Sequence, residues 1–147
     1  MSPVVPFASD AEVEAIGLGL LDRTLPKPHW THAAHFAAAA WIIRERPDLA
    51  PERDMPGIIR AYNAATGGEN TDTAGYHETI TQASLRAARA FLATLSADTP
   101  LHAACNALLA SPLGDKGWPL AYWSREVLFS VEARRGWVDP DQQPLPF

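Results

Sequence analysis

Three histidines lie close together in the segment PHWTHAAHFAAAAWII, residues 28–43. His32 and His35 are one helical turn apart, at positions i and i+3, so their side chains project from the same face of a predicted helix. Two imidazoles in this arrangement can bind one metal ion through their ring nitrogens. His29 precedes the helix, and the direction of its side chain depends on the turn at Pro28. The sequence therefore predicts a candidate metal site at His32 and His35, to which His29 is not assigned.

A third metal ligand is expected from the segment GYHETIT, residues 75–81, in the longest predicted helix. His77 is the expected third ligand, because a catalytic metal site normally needs three groups from the protein, although it could equally form a satisfied, partly buried pair with Thr81. Glu78 is the expected general base, and Tyr76 or Thr81 would orient a substrate. The segment thus predicts both a ligand and the catalytic groups beside it.

Together, His32, His35 and His77 predict a site for a divalent metal ion with a vacant coordination position. Zn, Fe, Mn and Ni suit this ligand set about equally, because no cluster of cysteines favours a softer metal. The predicted chemistry is metal-assisted hydrolysis or group transfer, in which the ion activates a water molecule. The three histidines can meet if the second and fourth helices run parallel or cross steeply, and short loops in the order up, down, up would make them parallel.

Two other functions fit the same residues. In the first, the protein is a metal-free module that binds a small acidic ligand, with the histidines and Arg60 or Arg86 donating hydrogen bonds. In the second, it is a structural or partner-binding bundle whose histidines only satisfy backbone groups. The other site residues also have structural roles open to them, with Tyr76 in the core and Glu78 as a favourable charge in a first helical turn.

The composition is that of an ordinary soluble globular protein, with 47% hydrophobic and 20% charged residues in a chain of 147. This length predicts a single domain, residues 1–147. The net charge of −5 is spread along the chain without a basic stripe, so nucleic acid is not an expected partner. A small-molecule ligand is the expected partner, and an apolar-rich helical chain is compatible with a homodimer.

A membrane is not an expected partner either. The longest apolar run, Phe36 to Ile43, is too short to cross a bilayer. The N-terminal segment MSPVVPFASDAEVEA lacks the basic start of a signal peptide, and prolines interrupt its apolar stretch. Cys105 is the lone cysteine and lies in an apolar helical pattern, which predicts a buried thiol and no disulfide within the chain. These features predict a cytoplasmic protein.

The spacing of apolar residues predicts an all-α fold, a compact bundle of five or six helices with an irregular C-terminal tail. Ser9 or Asp10 is the predicted cap of the first helix, and Thr31 that of the second. The second helix is apolar on every face, so it and the fourth helix are expected at the centre. The predicted helices cover residues 10–24, 32–46, 58–65, 74–96, 100–111 and 120–136, separated by a turn at 46–57 and a loop at 67–73 and followed by a tail that docks through Trp137.

Three longer stretches carry a resemblance to a known family. They are HWTHAAHFAAAAW (residues 29–41), YNAATGGENTDTAGYHETIT (62–81) and YWSREVLFSVEARRGWVDPD (122–141). Through them the chain resembles, over residues 28–146, a family of small uncharacterised bacterial all-helical proteins with the motifs H-W-T-H-x-x-H and G-Y-H-E-T-x-T. The chain is also loosely similar to the DinB-like helical bundles, which bind a divalent metal through a histidine triad. The first resemblance implies no particular activity, and the second implies a metal bound by histidines.

Overall fold

The computed structural model describes residues 6–147 and confirms the all-α fold. Residues 1–5, which open the predicted domain and the N-terminal segment assessed as a signal peptide, lie outside the described residues. Residues 6–147 form seven α-helices and three 3₁₀ helices, with no strand. No helix in this part of the chain has the length and apolar character that crossing a membrane requires. The α-helices are α1 (Asp10–Asp22), α2 (His32–Glu45), α3 (Pro51–Ala65), α4 (Glu78–Ala93), α5 (Leu101–Ala110), α6 (Arg125–Leu128) and α7 (Val131–Arg135), and the 3₁₀ helices are Lys27–His29, Pro112–Gly114 and Trp118–Ala121.

The first two helices begin where the sequence predicts. The Ser9 hydroxyl accepts a hydrogen bond from the backbone N–H of Glu12 at 3.3 Å. The Thr31 hydroxyl accepts one from the backbone N–H of Ala34 at 3.2 Å. Each bond satisfies a backbone donor that has no partner inside its own helix. The second cap makes His32 the first residue of α2, and this fixes the direction in which the histidines of its first turn project.

α2 lies at the centre of the bundle, as its apolar sequence predicts. Apart from His35, the side chains from Ala34 to Ile42 are buried, and the helix contacts α1, α4 and α5. Gly17 lets α1 approach α2 closely, because a Cβ atom at this position would lie 2.1 Å from the ring of Trp41. Burial of residues 36–42 on every face explains why this stretch of the helix carries no charge.

α2 and α4 run in the same direction. Near their N-terminal ends, His35 of α2 and Ile80 of α4 line the same two cavities. Near the other end of α2, the Arg44 guanidinium donates hydrogen bonds to the carbonyls of Ala97 and Thr99, which follow the end of α4, at 2.7 and 2.8 Å. The parallel arrangement that a site between these helices requires is therefore present.

The turn predicted for residues 46–57 is wrong in its second half, because α3 already begins at Pro51. A proline is well tolerated at this first helical position, where its missing N–H would have no partner. Pro56 lies inside the helix and leaves the Glu52 carbonyl without its usual backbone donor. The side-chain amide of Gln82 on α4 donates to this carbonyl at 2.9 Å. A bond from a neighbouring helix thus replaces the bond that the proline removes.

Replacing Gln82 with alanine is expected to lower the free energy of unfolding by about 1 kcal/mol, because the Glu52 carbonyl loses its donor. In a Pro56→Ala background, the backbone N–H of residue 56 can donate to the Glu52 carbonyl. Replacing Gln82 with alanine should then lower the free energy of unfolding clearly less. Urea denaturation of the four proteins in this cycle measures the difference. Equal costs in both backgrounds would contradict the compensating role of Gln82.

The single helix predicted for residues 120–136 is wrong, since α6 and α7 take its place. The Ser124 hydroxyl accepts a hydrogen bond from the backbone N–H of Val127, and the Ser130 hydroxyl accepts one from that of Ala133, each at 3.2 Å. Both serines have extended backbone conformations and cap a new helix, so they interrupt the helical pattern.

The irregular tail docks onto the bundle through aromatic contacts, as predicted. Trp137 packs edge-on against Trp123, with ring centroids 5.8 Å apart. Further along, Phe147 packs against Trp118 with centroids 5.9 Å apart. Because Trp118 belongs to the wall of the cavity described next, the tail supports that wall from outside.

Candidate functional site

A cavity of about 500 Å³ lies between the N-terminal ends of α2 and α4 and the segment 116–129. We call it the histidine cavity. Two histidines, two cationic side chains and four aromatic rings contribute to its wall, namely His32, His35, Lys116, Arg125, Trp30, Phe36, Trp118 and Phe129. Its volume is in the range of sites that bind small molecules.

His32 and His35 share one face of α2, as predicted, and each commits one ring nitrogen to a backbone carbonyl. His32 Nε2 donates to the Leu113 carbonyl at 2.8 Å, and His35 Nδ1 donates to the Thr31 carbonyl at 2.6 Å. A carbonyl only accepts, so these nitrogens carry the protons of the neutral rings. His32 Nδ1 and His35 Nε2 therefore keep lone pairs that can accept a hydrogen bond or bind a metal ion.

The surroundings of His35 keep its ring neutral. Its ring stacks on Trp30, with centroids 3.7 Å apart. Desolvation by the cavity wall lowers the pKa of His35 to about 4, and the nearby charges of His32 and Lys116 act in the same direction. The side chain of His35 is nevertheless exposed, and it lines the cavity. At neutral pH this histidine is thus an accessible acceptor and not a cation.

The cations of the histidine cavity come from the segment 116–129 and were not predicted. The side chains of Lys116 and Arg125 are exposed at its edge. Within residues 6–147, neither forms a salt bridge. Their only sequence signal is weak, since each lies in a short turn-rich stretch beside aromatic residues. The cations named in the sequence analysis lie elsewhere, with Arg60 stacked over the ring of Tyr76 at 4.5 Å and Arg86 over that of Trp137 at 4.2 Å.

His77 does not join the other two histidines, because the backbone engages both of its ring nitrogens. Its Nδ1 accepts the backbone N–H of Ile80 at 3.1 Å, and its Nε2 donates to the Leu128 carbonyl at 2.7 Å. α4 begins at Glu78, four residues later than predicted, so that His77 is the N-cap of this helix. Residues 6–147 contain no group of three or more His, Cys, Asp or Glu side chains that could hold a metal ion. The predicted three-histidine ligand set is therefore not formed.

The predicted catalytic residues lie together but outside the histidine cavity. The Tyr76 hydroxyl donates a hydrogen bond to Glu78 Oε1. Burial and this bond to the carboxylate raise the pKa of Tyr76, so its hydroxyl holds its proton firmly. Neither side chain lines the cavity, whereas Thr81 lines a smaller neighbouring one together with His35. Glu78 is thus placed to bind Tyr76 and not to activate a water molecule beside His32 and His35.

The remaining histidines have no part in the cavity. His29 is exposed on the 3₁₀ helix that precedes α2. His102 binds Asp10 through both its backbone N–H and its ring Nδ1, which ties the start of α1 to α5. His29 is therefore excluded from the candidate site, and His102 joins two helices.

The free energy of unfolding is expected to fall as the pH is lowered from about 6.5 toward 4. Desolvation holds the pKa of both His35 and His77 below the ordinary value of 6.5. In this interval the unfolded chain binds more protons than the folded one, so the stability that is complete above pH 6.5 is lost as the pH falls through the folded pKa values. Denaturation as a function of pH measures the slope.

The variant His35→Gln should flatten this slope in part, leaving the share of His77. The ring protons of His35, followed by NMR, report its titration directly. A midpoint at or above pH 6.5 would contradict the desolvated environment inferred for this ring.

Comparison of the chain with protein-family models, curated proteins and solved structures gave no match. The resemblance to a small bacterial family and to the DinB-like bundles stays a prediction. Function is therefore inferred from the chemistry of the histidine cavity.

Proposed function

We propose that the protein binds a small acidic molecule with a flat apolar body in the histidine cavity. The observation that carries this proposal is the composition of the cavity wall. Two cationic side chains and two imidazoles lie there among aromatic rings, and no carboxylate lines the cavity. The chain as a whole has a net charge of −5, so a wall without acidic side chains is a local departure from its surroundings.

Lys116 and Arg125 supply the charge that an acidic group needs. Neither is neutralised by a salt bridge within the described residues, so both are available to a carboxylate or phosphate. A guanidinium can bind a carboxylate through two parallel hydrogen bonds, and an ammonium adds a point charge. The positive end of the α2 dipole lies at the same cavity and favours an anion further.

The aromatic side chains supply the surface for an apolar body. Trp30, Phe36 and Trp118 contribute rings to the wall, and Phe129 is 53% exposed at its edge. Flat ligands pack well against such rings, whose stacked and edge-on contacts are favourable beyond simple burial. A fully polar ligand would leave this apolar surface in contact with water.

The two histidines supply acceptors. In their neutral forms, His32 Nδ1 and His35 Nε2 accept hydrogen bonds, so a hydroxyl or N–H group on the ligand is the complementary feature. This role differs from the donation predicted from the sequence, because each ring has already given its N–H to a backbone carbonyl. We expect 4-hydroxybenzoate to bind more tightly than benzoate for this reason.

Benzoate is expected to bind measurably, and the uncharged benzamide, which has the same size, much more weakly. The double variant Lys116→Gln/Arg125→Gln should weaken benzoate binding about tenfold, since it removes two charged hydrogen-bond donors. Calorimetry or NMR titration of the full chain measures the affinities of the unmodified protein for benzoate and benzamide and that of the double variant for benzoate.

The matched control is the double variant Arg23→Gln/Lys27→Gln, which removes the same charge from exposed positions outside the cavity. This control should bind benzoate like the unmodified protein. Equal losses in both double variants would show a general charge effect and contradict a site at the histidine cavity.

A divalent metal ion is the second proposal, favoured by the free nitrogens of His32 and His35 in one cavity. The protein would supply two ligands, and water and a bound acid would complete the coordination. Glu78 does not line the cavity, so it would not serve as the general base of a hydrolysis or transfer reaction there. Elemental analysis of untagged protein tests this proposal. Near-stoichiometric metal that is lost in a His32→Ala/His35→Ala variant would favour it over metal-free binding.

A further inference from the structure

A second, smaller cavity of about 50 Å³ adjoins the histidine cavity. We call it the apolar slot. The side chains of Trp30, His35, Ile80 and Ser84 belong to the walls of both cavities. Because these four side chains are shared, the two spaces are separated by single side chains and not by a layer of the core.

Five side chains belong to the slot alone, and all of them except Thr81 are apolar side chains of the hydrophobic core. Ala39, Met55, Ile59 and Leu85 are all buried, with between 1% and 8% of their surface exposed. The polar groups in its wall are the imidazole of His35 and the hydroxyls of Thr81 and Ser84. No charged side chain lines the slot, so its chemistry fits an alkyl group and not the acidic end of a ligand.

The stack of His35 on Trp30 forms the boundary between the two spaces. Trp30 is held at the end of a 3₁₀ helix and is only partly buried, so its ring borders solvent as well as the slot. His35 is fixed from the other side by its bond to the Thr31 carbonyl. Because both rings line both spaces, a group that extends from the histidine cavity into the slot would pass beside this stack.

From these contacts we propose that the apolar slot is the specificity subsite of the ligand, which takes a short alkyl group attached to the apolar body of the acid. This inference rests on the proposed function, because the acidic end must be held at Lys116 and Arg125. It assigns the ligand to the class of alkyl-substituted aromatic acids and makes Ala39 and Ile59 the residues that set the length of the alkyl group.

The size of the slot predicts a limit. About 150 Å³ of enclosed apolar space accommodates a benzene ring of six carbons, so about 50 Å³ accommodates two. Each methylene that enters such a space should tighten binding about fourfold. The gain should therefore continue from a methyl to an ethyl group and stop, or reverse, at propyl and butyl.

The test uses the full chain and five probes, namely benzoate and its 4-methyl, 4-ethyl, 4-propyl and 4-butyl derivatives. Calorimetry is expected to show the strongest binding for the ethyl derivative. A steady rise through butyl would indicate nonspecific apolar binding and overturn the inference. Flat affinities across the series would also overturn it but leave the proposed function standing, whereas failure of benzoate itself would overturn both.

Two variants locate the effect. Ala39→Val adds volume within the slot and should remove the gain in affinity of the ethyl derivative over benzoate. Ile59→Val opens space for one more carbon and should move the strongest binding to the propyl derivative. The matched control is Ala33→Val, at a position of α2 that lines neither cavity, and it should keep the original order. An unchanged order in both slot variants would overturn the assignment.

Discussion

Replacing Trp123 with alanine is expected to lower the free energy of unfolding by about 3–5 kcal/mol, the cost typical of removing a large aromatic side chain from a core. Trp123 is the largest fully buried side chain, with 0% of its surface exposed. Its indole N–H donates to the Val138 carbonyl at 2.9 Å, and Trp137 packs edge-on against its ring. The substitution therefore removes both a core contact and the anchor of the tail. Chemical denaturation followed by circular dichroism measures the loss.

Two further variants separate these contributions. Trp123→Phe keeps an aromatic ring but leaves the Val138 carbonyl without its donor, so an intermediate loss is expected. Trp137→Ala removes a tryptophan that is only partly buried, and its loss should be smaller than that of Trp123→Ala. A loss below about 1 kcal/mol for Trp123→Ala would be inconsistent with the packing described, because core truncations of this size regularly cost more.

Replacing His77 with alanine should lower the free energy of unfolding by about 2–4 kcal/mol. The N-cap bond to Ile80 contributes about 1 kcal/mol of this. Leaving the buried Leu128 carbonyl unpaired costs a further 1–3 kcal/mol or so. His35→Ala, which removes an exposed ring from the histidine cavity, should cost much less. Urea denaturation of the two variants at pH 7.5 compares a structural histidine with one that we propose to contact the ligand.

The variant His77→Asn provides the rescue. Asparagine is a favoured N-cap residue, so it should recover the share of stability that the bond to Ile80 contributes, but it should not recover the bond to Leu128. Equal free energies of unfolding for His77→Ala and His35→Ala would mean that the hydrogen bonds of His77 to the backbone do not stabilise the fold. A loss of bound metal with unchanged stability would instead restore His77 as a ligand.

The parts of the fold that depend on neighbours in sequence could be predicted. Thr31 precedes an apolar run and caps α2, and the apolar character of that run on every face placed the helix at the centre. α3 could not be bounded in the same way, because Pro56 is compatible with a helix only where Gln82, on another helix, supplies the missing bond. A compensation between distant residues leaves no pattern in the local sequence.

In the candidate site, too, the features set by neighbouring residues could be predicted and those set by tertiary contacts could not. His32 and His35 were predicted because their spacing alone puts them on one face of a helix. The position of His77 could not be predicted in this way, because it depends on where α4 begins, and the start at Glu78 makes His77 the N-cap. Asn70 accepts the backbone N–H of Tyr76 at 3.1 Å, and this bond and the positive φ of Gly75 hold the preceding loop out of the helix. Lys116 and Arg125 reach the cavity through tertiary packing alone.

The close approach of α1 and α2 gives a criterion for recognising homologues. Because a methyl group at residue 17 would overlap the ring of Trp41, glycine at the first position and tryptophan at the second should be inherited as a pair. A related sequence with alanine at the first position is expected to carry a smaller residue at the second. If an alignment places a tryptophan at position 41 and a residue larger than glycine at position 17, it therefore has α1 in the wrong register.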